Sequence, residues 1–352
     1  MTRGEIVGIQ YLRGLAALAV VVDHAAASAA TPKYFGQTVL DGFLYRGAAG
    51  VDLFFLISGF IITVVSLDRD WKPTMKVGDF FGRRFLRIVP MMWLAVLSYA
   101  ALRYLGRGEF DGGAFLRAMV AWPVGTLEPL NIWTLRHEFI FYTVFAISML
   151  GPRWLRPLLV AWCVLPLLLL LGPQAPALVK SIGHAVNVEF GAGVLIGLFW
   201  LKRPDISFRL PFEPYWLMAL AMVALMGFAA LIGHEFHLVT KTLLIAAFCA
   251  PIILLGVYVH CPRGWVARVG LLLGNASYVV YLFHPHVLSA SAGVWARLAP
   301  GTPVWVVIFG LILLSMLACL AVHLMVEKPL LGRVRRWQVA RRSARAGPET
   351  AG

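Results

Sequence analysis

The stretch IVGIQYLRGLAALAVVVDHAAASAA, from Ile6 to Ala30, decides the fold class. At 1.5 Å of rise per residue it is long enough to cross a hydrocarbon core of about 30 Å as one helix. Arg3 and Arg13, the apolar run Leu15 to Val22 and the Ala-Ser-Ala at residues 27–29 also imitate a cleavable export signal. Asp23 and His24 interrupt the apolar region that a signal needs, which favours a membrane span. The rest of the chain agrees. Of 352 residues 60% are apolar and 14% charged, whereas about a quarter are charged in soluble domains. An extramembrane catalytic module of ordinary size is excluded. The net charge of +14 comes from Lys and Arg in short connections and the C-terminal tail, a topology signal rather than a nucleic-acid surface.

Hydropathy predicts an all-α integral membrane protein, a bundle of about ten transmembrane helices. The spans fall near residues 8–29, 49–67, 86–105, 131–150, 157–172, 186–201, 214–233, 241–259, 268–290 and 303–326. Phe115 to Val124 is too short to span and reads as a re-entrant or interfacial piece. Arg69, Lys72, Lys76, Arg83, Arg84 and Arg87 crowd one connection, and Lys328, Arg333, Arg335 and Arg336 follow the last span. By the positive-inside rule both regions, and both termini, are cytoplasmic. Residues 1–330 form the transmembrane domain, and 331–352 a basic cytoplasmic tail expected to be disordered. Cys163, Cys249, Cys261 and Cys319 are far apart and make neither a disulfide framework nor a metal-ligand spacing, so no metal is expected.

Ionisable residues inside spans are costly and therefore mark candidate sites. Arg13 and His24 are eleven residues apart, which returns them to one face of a helix about 16 Å apart along its axis. Arg13 then sits near the cytosol and His24 in the outer half. Asp23, one position away, diverges by about 100° and is not expected to orient His24. An imidazole at that position suits a general base. In Asn131-Ile132-Trp133-Thr134-Leu135-Arg136-His137-Glu138-Phe139-Ile140-Phe141-Tyr142, Asn131 reads as a helix N-cap, and Glu138 and Tyr142 share a face. Glu138 falls at a depth similar to that of His24, where a carboxylate would fix the imidazole tautomer. Gly82-Arg83-Arg84-Phe85-Leu86-Arg87-Ile88-Val89-Pro90 reads as a basic turn before the third span, whose guanidinium forks suit phosphate oxygens. Asp52 and His284 are expected to line one outer cavity, Ser58 and Gly59 to permit close helix packing, and Glu327 to meet an arginine.

Together, Arg-x10-His on the first span, Phe-Phe-x-x-Ser-Gly-Phe on the second, Arg-Arg-x-x-Arg-x-x-Pro before the third, Trp-Thr-Leu-x-x-Glu-x-x-x-Tyr on the fourth, Ser-Tyr-x-x-Tyr-x-x-His late in the chain and Glu-Lys-Pro at the end resemble the acyltransferase 3 family of bacterial membrane acyltransferases. The exopolysaccharide O-acetyltransferases of the succinoglycan type are the nearest in flavour. The resemblance runs from residue 8 to about residue 330. It implies transfer of an acyl group, usually acetyl, from cytoplasmic acyl-CoA to a hydroxyl of a sugar or polysaccharide precursor at the bacterial inner membrane, with no bound cofactor. Carried over by position, it makes Arg13 and His24 the essential pair, with Arg84, Arg87, Trp133, Glu138 and Tyr142 in support. Arg83, Arg84 and Arg87 would hold the donor phosphates. Asp52, Ser58, Trp133, Tyr142, Tyr281 and His284 would support the acceptor. Direct attack and a relay through an acyl group on His24 or Ser58 both remain open.

Two features depart from the family pattern. Arg136-His137 before Glu138 is unexpectedly basic, and no length is left for the periplasmic hydrolase-like domain that many members add. A different class, a transporter or flippase for a lipid-linked sugar, would use the same intramembrane charges to line a path. The acceptor, the acyl chain and the oligomeric state are not written in the sequence.

Overall fold

A computed structural model describes residues 6–108, 110–169, 175–233, 236–262, 264–334 and 336. Among these the chain is helical throughout, broken only by turns and two isolated β-bridges. The helices are α1 (Val7–Ala30), α2 (Ala49–Ser66), α3 (Val77–Arg107), α4 (Gly112–Met119), α5 (Trp133–Phe145), α6 (Pro157–Leu169), α7 (Ala177–Ile182), α8 (Asn187–Lys202), α9 (Pro214–Ile232), α10 (Leu238–Tyr258), α11 (Trp265–Leu298) and α12 (Val304–Val322). A 3-10 stretch, Leu40–Ala48, leads into α2, and wide π-turns extend α5 through Ala146–Leu150 and α12 through His323–Glu327.

Among the described residues, 8 helical segments are long and apolar enough to cross a membrane, built on α1, α2, α3, α8, α9, α10, α11 and α12. The two remaining expected spans, 131–150 and 157–172, coincide with α5 plus its π-turn and with α6, which are shorter. Residues 170–174 and most of the predicted tail lie outside the described residues. The short Phe115 segment is the amphipathic helix α4, which buries Ala114, Phe115 and Ala118.

One local expectation is corrected here. The arginine-rich stretch is not a turn, because α3 begins at Val77 and runs unbroken through Arg83, Arg84, Arg87 and Pro90. A run mixing Phe, Arg and Leu is a good helix former, so the helix extends beyond the apolar segment that hydropathy detects.

Close backbone contact sets the register between helices. A Cβ on Gly274 of α11 would lie 2.3 Å from the Gln10 carbonyl oxygen of α1, and one on Gly193 of α8 would lie 2.0 Å from the Leu56 carbonyl oxygen of α2. Only glycine permits such approach. On the same logic Gly59 fits against the Phe190 carbonyl, as the small pair Ser58-Gly59 suggested. Helices α1 and α11 thus lie side by side, touching at Gln10 and Gly274 near their starts and at the rings of His24 and His284 further on.

Inside α11, Pro285 has no N–H, which leaves the carbonyl four residues back, that of Tyr281, without its helical donor. Asn131 supplies one: its Nδ2 donates to the Tyr281 carbonyl at 2.8 Å. The Tyr281 hydroxyl donates in return to the Asn131 carbonyl at 2.9 Å. Asn131 is therefore not the N-cap that the sequence suggested. Its side chain joins the start of α5 to the middle of α11, and α5 begins without a side-chain cap.

Candidate active site

Two cavities meet inside the bundle. The smaller, about 120 Å³, is bounded by α1, α2, α3, α5 and α11 and includes Arg13, Ser58, Arg84, Arg87, Glu138, Tyr142, Tyr278 and Tyr281 in its walls. The larger, about 880 Å³, is bounded by the first turns of α1, by α3, by the start of α11 and by the end of α12. Arg13, Arg84 and Arg87 line both, so three guanidiniums stand at the junction. Arg83 lines the larger one alone.

The junction arginines are held differently. Arg13 is buried, with Nη1 donating to Gln10 Oε1 at 3.1 Å. Arg84 lies with its guanidinium 5.9 Å from the centre of the Phe80 ring, and its buried Nε has no protein acceptor among the described residues. Buried polar groups normally find a partner, and Arg84, which lines both cavities, keeps this one unpaired among the described residues. Glu138 is the one carboxylate in the walls of the small cavity. It accepts hydrogen bonds from the Tyr142 hydroxyl and, at 3.3 Å, from Ser58 Oγ. The expected shared face of Glu138 and Tyr142 is thus a direct contact.

His24 lies elsewhere. It lines neither cavity, and its side chain is 46% exposed. Its Nδ1–H donates to the Val20 carbonyl at 2.9 Å, which leaves the Nε2 lone pair as the available base. Asp23 Oδ2 stands 3.5 Å from the same Nδ1. The sequence reading that Asp23 cannot reach His24 is therefore corrected: adjacent Cβ atoms diverge on a helix, but side chains of this length fold back until their tips meet. The His284 ring lies edge-on to His24, 4.9 Å between centroids, and the Tyr281 ring is 6.1 Å from His284. A line of rings, His24, His284 and Tyr281, leads from the exposed imidazole to the wall of the small cavity. His284 is fully buried; its Nδ1–H donates to the Val280 carbonyl at 2.9 Å and its Nε2 has no acceptor or donor among the described residues.

Other expected groupings separate. Glu138 shares its cavity with Arg13, not with His24. Neither Asp52 nor His284 lines either of these two cavities; Asp52 meets the buried Glu189 of α8. Trp133 lies outside both cavities, packed against Phe55, His137 and His184 at 5.9, 5.7 and 5.9 Å. Among the described residues Glu327 meets no arginine: its Oε2 lies 2.5 Å from Nδ1 of His323, across the π-turn. The structure also adds wall residues that were not singled out, namely Gln10, Thr134, Asn275, Ser277, Tyr278 and His323. Tyr278 sits within the quoted Ser-Tyr-x-x-Tyr pattern, and His323 stands one helical turn before Glu327, a spacing that held the signal.

A narrow chamber inside a bundle of apolar helices, with three arginines and a carboxylate among its largely apolar walls, has the intramembrane charge that marks a functional site. Comparison with known families matches residues 6–324 to the acyltransferase 3 family, described as an acyltransferase domain. The chain belongs to that family and is an acyltransferase. Among similar proteins, the exopolysaccharide production protein ExoZ of Rhizobium meliloti (strain 1021) is 35% identical over 310 residues, covering 82% of this chain and 92% of the relative. YrhL of Bacillus subtilis (strain 168), whose name carries a peptidoglycan O-acetyltransferase assignment, is 27% identical over 334 residues, covering 81% of this chain and 50% of the relative. No solved structure matches the chain.

Proposed function

We propose that this protein is a multi-pass O-acyltransferase of the bacterial inner membrane that moves a short acyl group, acetyl by size, from cytoplasmic acyl-CoA to a hydroxyl of a sugar or polysaccharide precursor. The observation that carries the reading is the junction of a wide basic vestibule with a narrow chamber at Arg13, Arg84 and Arg87. Guanidiniums bind phosphate oxygens in pairs. With the donor's diphosphate at that junction, its thin pantetheine arm extends into the chamber and its bulky nucleotide stays in the vestibule. Phe54, Phe55, Ile57, Ile61 and Ile62 narrow the chamber and favour a small acyl group. The names of ExoZ and YrhL support a glycan acceptor. The crowding of Arg83, Arg84, Arg87 and Lys328 at the vestibule supports a cytoplasmic position for that end, for the starts of α1, α3 and α11, and for both termini. Counting α5 and α6 with the eight longer segments gives ten crossings.

In this mechanism His24 Nε2 takes the proton of the acceptor hydroxyl as its oxygen attacks the thioester carbonyl. The new C–O bond forms, the C–S bond breaks, and the thiolate recovers a proton from the imidazolium to leave as free CoA thiol. Asp23 and the Val20 carbonyl hold the imidazole, while Glu138 and Tyr142 order the chamber opposite the arginines. The acyl end meets His24 along the line of Tyr281 and His284, so those rings must make way for it.

The test uses sealed vesicles with labelled acetyl-CoA and a glycan acceptor. Wild-type protein labels the acceptor and His24→Ala does not. Equal labelling by both would remove His24 as the base, and passage of unlabelled glycan across the vesicle would favour the flippase reading.

A further inference from the structure

Beyond the junction arginines, the vestibule holds a second group of residues that the transfer chemistry does not use. His323 and Glu327 are buried, 7% and 4% exposed, although both are polar and lie near the end of a membrane helix. The π-turn at His323–Glu327 is a geometry that recurs at functional sites. It brings Glu327 Oε2 to 2.5 Å from His323 Nδ1. A carboxylate on one ring nitrogen fixes the ring and directs the other nitrogen. His323 lines the large cavity, and its Nε2 is engaged by no protein group among the described residues. Lys328 and Arg83 line the same vestibule and, unlike Arg13, Arg84 and Arg87, do not reach the small chamber. The other charged and polar groups facing this pair are Arg13 and Gln10 from α1, Arg84 and Arg87 from α3, and Asn275 from α11.

We propose that His323, held by Glu327, forms with Lys328 and Arg83 a separate phosphate subsite that reads the phosphomonoester on the donor's ribose. The inference rests on the proposed use of acyl-CoA and deepens it. With the diphosphate at the junction, the part of the donor left in the vestibule is the adenosine bearing that dianionic phosphate. Nδ1–H of His323 goes to Glu327, so a proton on Nε2 aimed at the phosphate makes the ring an imidazolium held between two anions. Lys328 adds a compact cation and Arg83 a planar fork.

The experiment compares acetyl-CoA with acetyl-3′-dephospho-CoA in the vesicle assay. Wild-type protein is expected to prefer the phosphorylated donor by about tenfold or more in kcat/KM, one such factor being about 1.4 kcal/mol. The preference resides in the donor KM. In His323→Gln it falls to about one. Lys328 is exposed, so Lys328→Met tests the same subsite without burdening the fold and reduces the ratio by several-fold. Equal use of both donors by the wild type, or an unchanged ratio in both variants, overturns the subsite. Turnover of neither donor overturns the acyl-CoA assignment, and the subsite falls with it, a distinguishable result.

Discussion

The imidazole of His24 meets that of His284 edge to face, with 4.9 Å between ring centres, and each ring gives its Nδ1–H to the carbonyl four residues earlier on its own helix. In their neutral forms the two histidines therefore share one tautomer, with the lone pair on Nε2, one toward the exposed end of α1 and the other inside the bundle. General-base removal slows reactions by about 10²–10⁴-fold. His24→Gln is expected to lose at least a hundredfold in kcat with donor binding unchanged. His284→Phe, which keeps the edge contact but not Nε2, is expected to lose less. Steady-state kinetics with donor binding measured separately checks both.

Arg84 lines both cavities and has a buried Nε with no protein acceptor among the described residues. Its replacement by Gln should raise the donor KM by about tenfold or more, given about 1.5–3 kcal/mol for a charge-assisted hydrogen bond, and leave the acceptor KM where it was. Lysine is not an adequate substitute, because a point charge cannot reproduce the fork. Titration of the purified variants with CoA reads the outcome.

Glu138 shares the walls of the small chamber with three arginines and takes hydrogen bonds from Tyr142 and Ser58. Glu138→Gln keeps the shape but removes the charge, and kcat is expected to fall at least tenfold. Tyr142→Phe removes one donor to a carboxylate that retains Ser58, and should cost less. The order of the two effects, measured under saturating donor, is the check.

Asn131 stands in for the amide hydrogen that Pro285 lacks. Asn131→Ala leaves the buried Tyr281 carbonyl unsatisfied, at a cost of about 1–3 kcal/mol. Adding Pro285→Ala restores the helical donor, so the double variant should melt closer to wild type than Asn131→Ala alone. Thermal unfolding in detergent of the four proteins of this cycle decides it.

The apolar helices were legible because membrane burial demands long runs of apolar residues, and α1, α2 and α8 to α12 lie where hydropathy puts them. The single-helix relationships were legible as well: Glu138 and Tyr142 are four apart, and one turn on a helix brings such residues together. What one sequence does not carry is the rotation and depth of one helix against another. For that reason Glu138 was paired with His24 by depth but shares a cavity with Arg13, and Asp52 was paired with His284 but faces Glu189. Asn131 looked like a cap because its role depends on a proline more than 150 positions away. His323 escaped because the arginines after Glu327 drew the assignment, although the first of them, Arg333, is farther from it along the chain than His323.

The small chamber of about 120 Å³ is narrow enough that a slender arm entering it would displace the water it holds. A passage this tight, with three arginines in its walls, would disfavour the entry of other cations. In an enzyme of this plan the same narrowness that selects a small cargo also insulates.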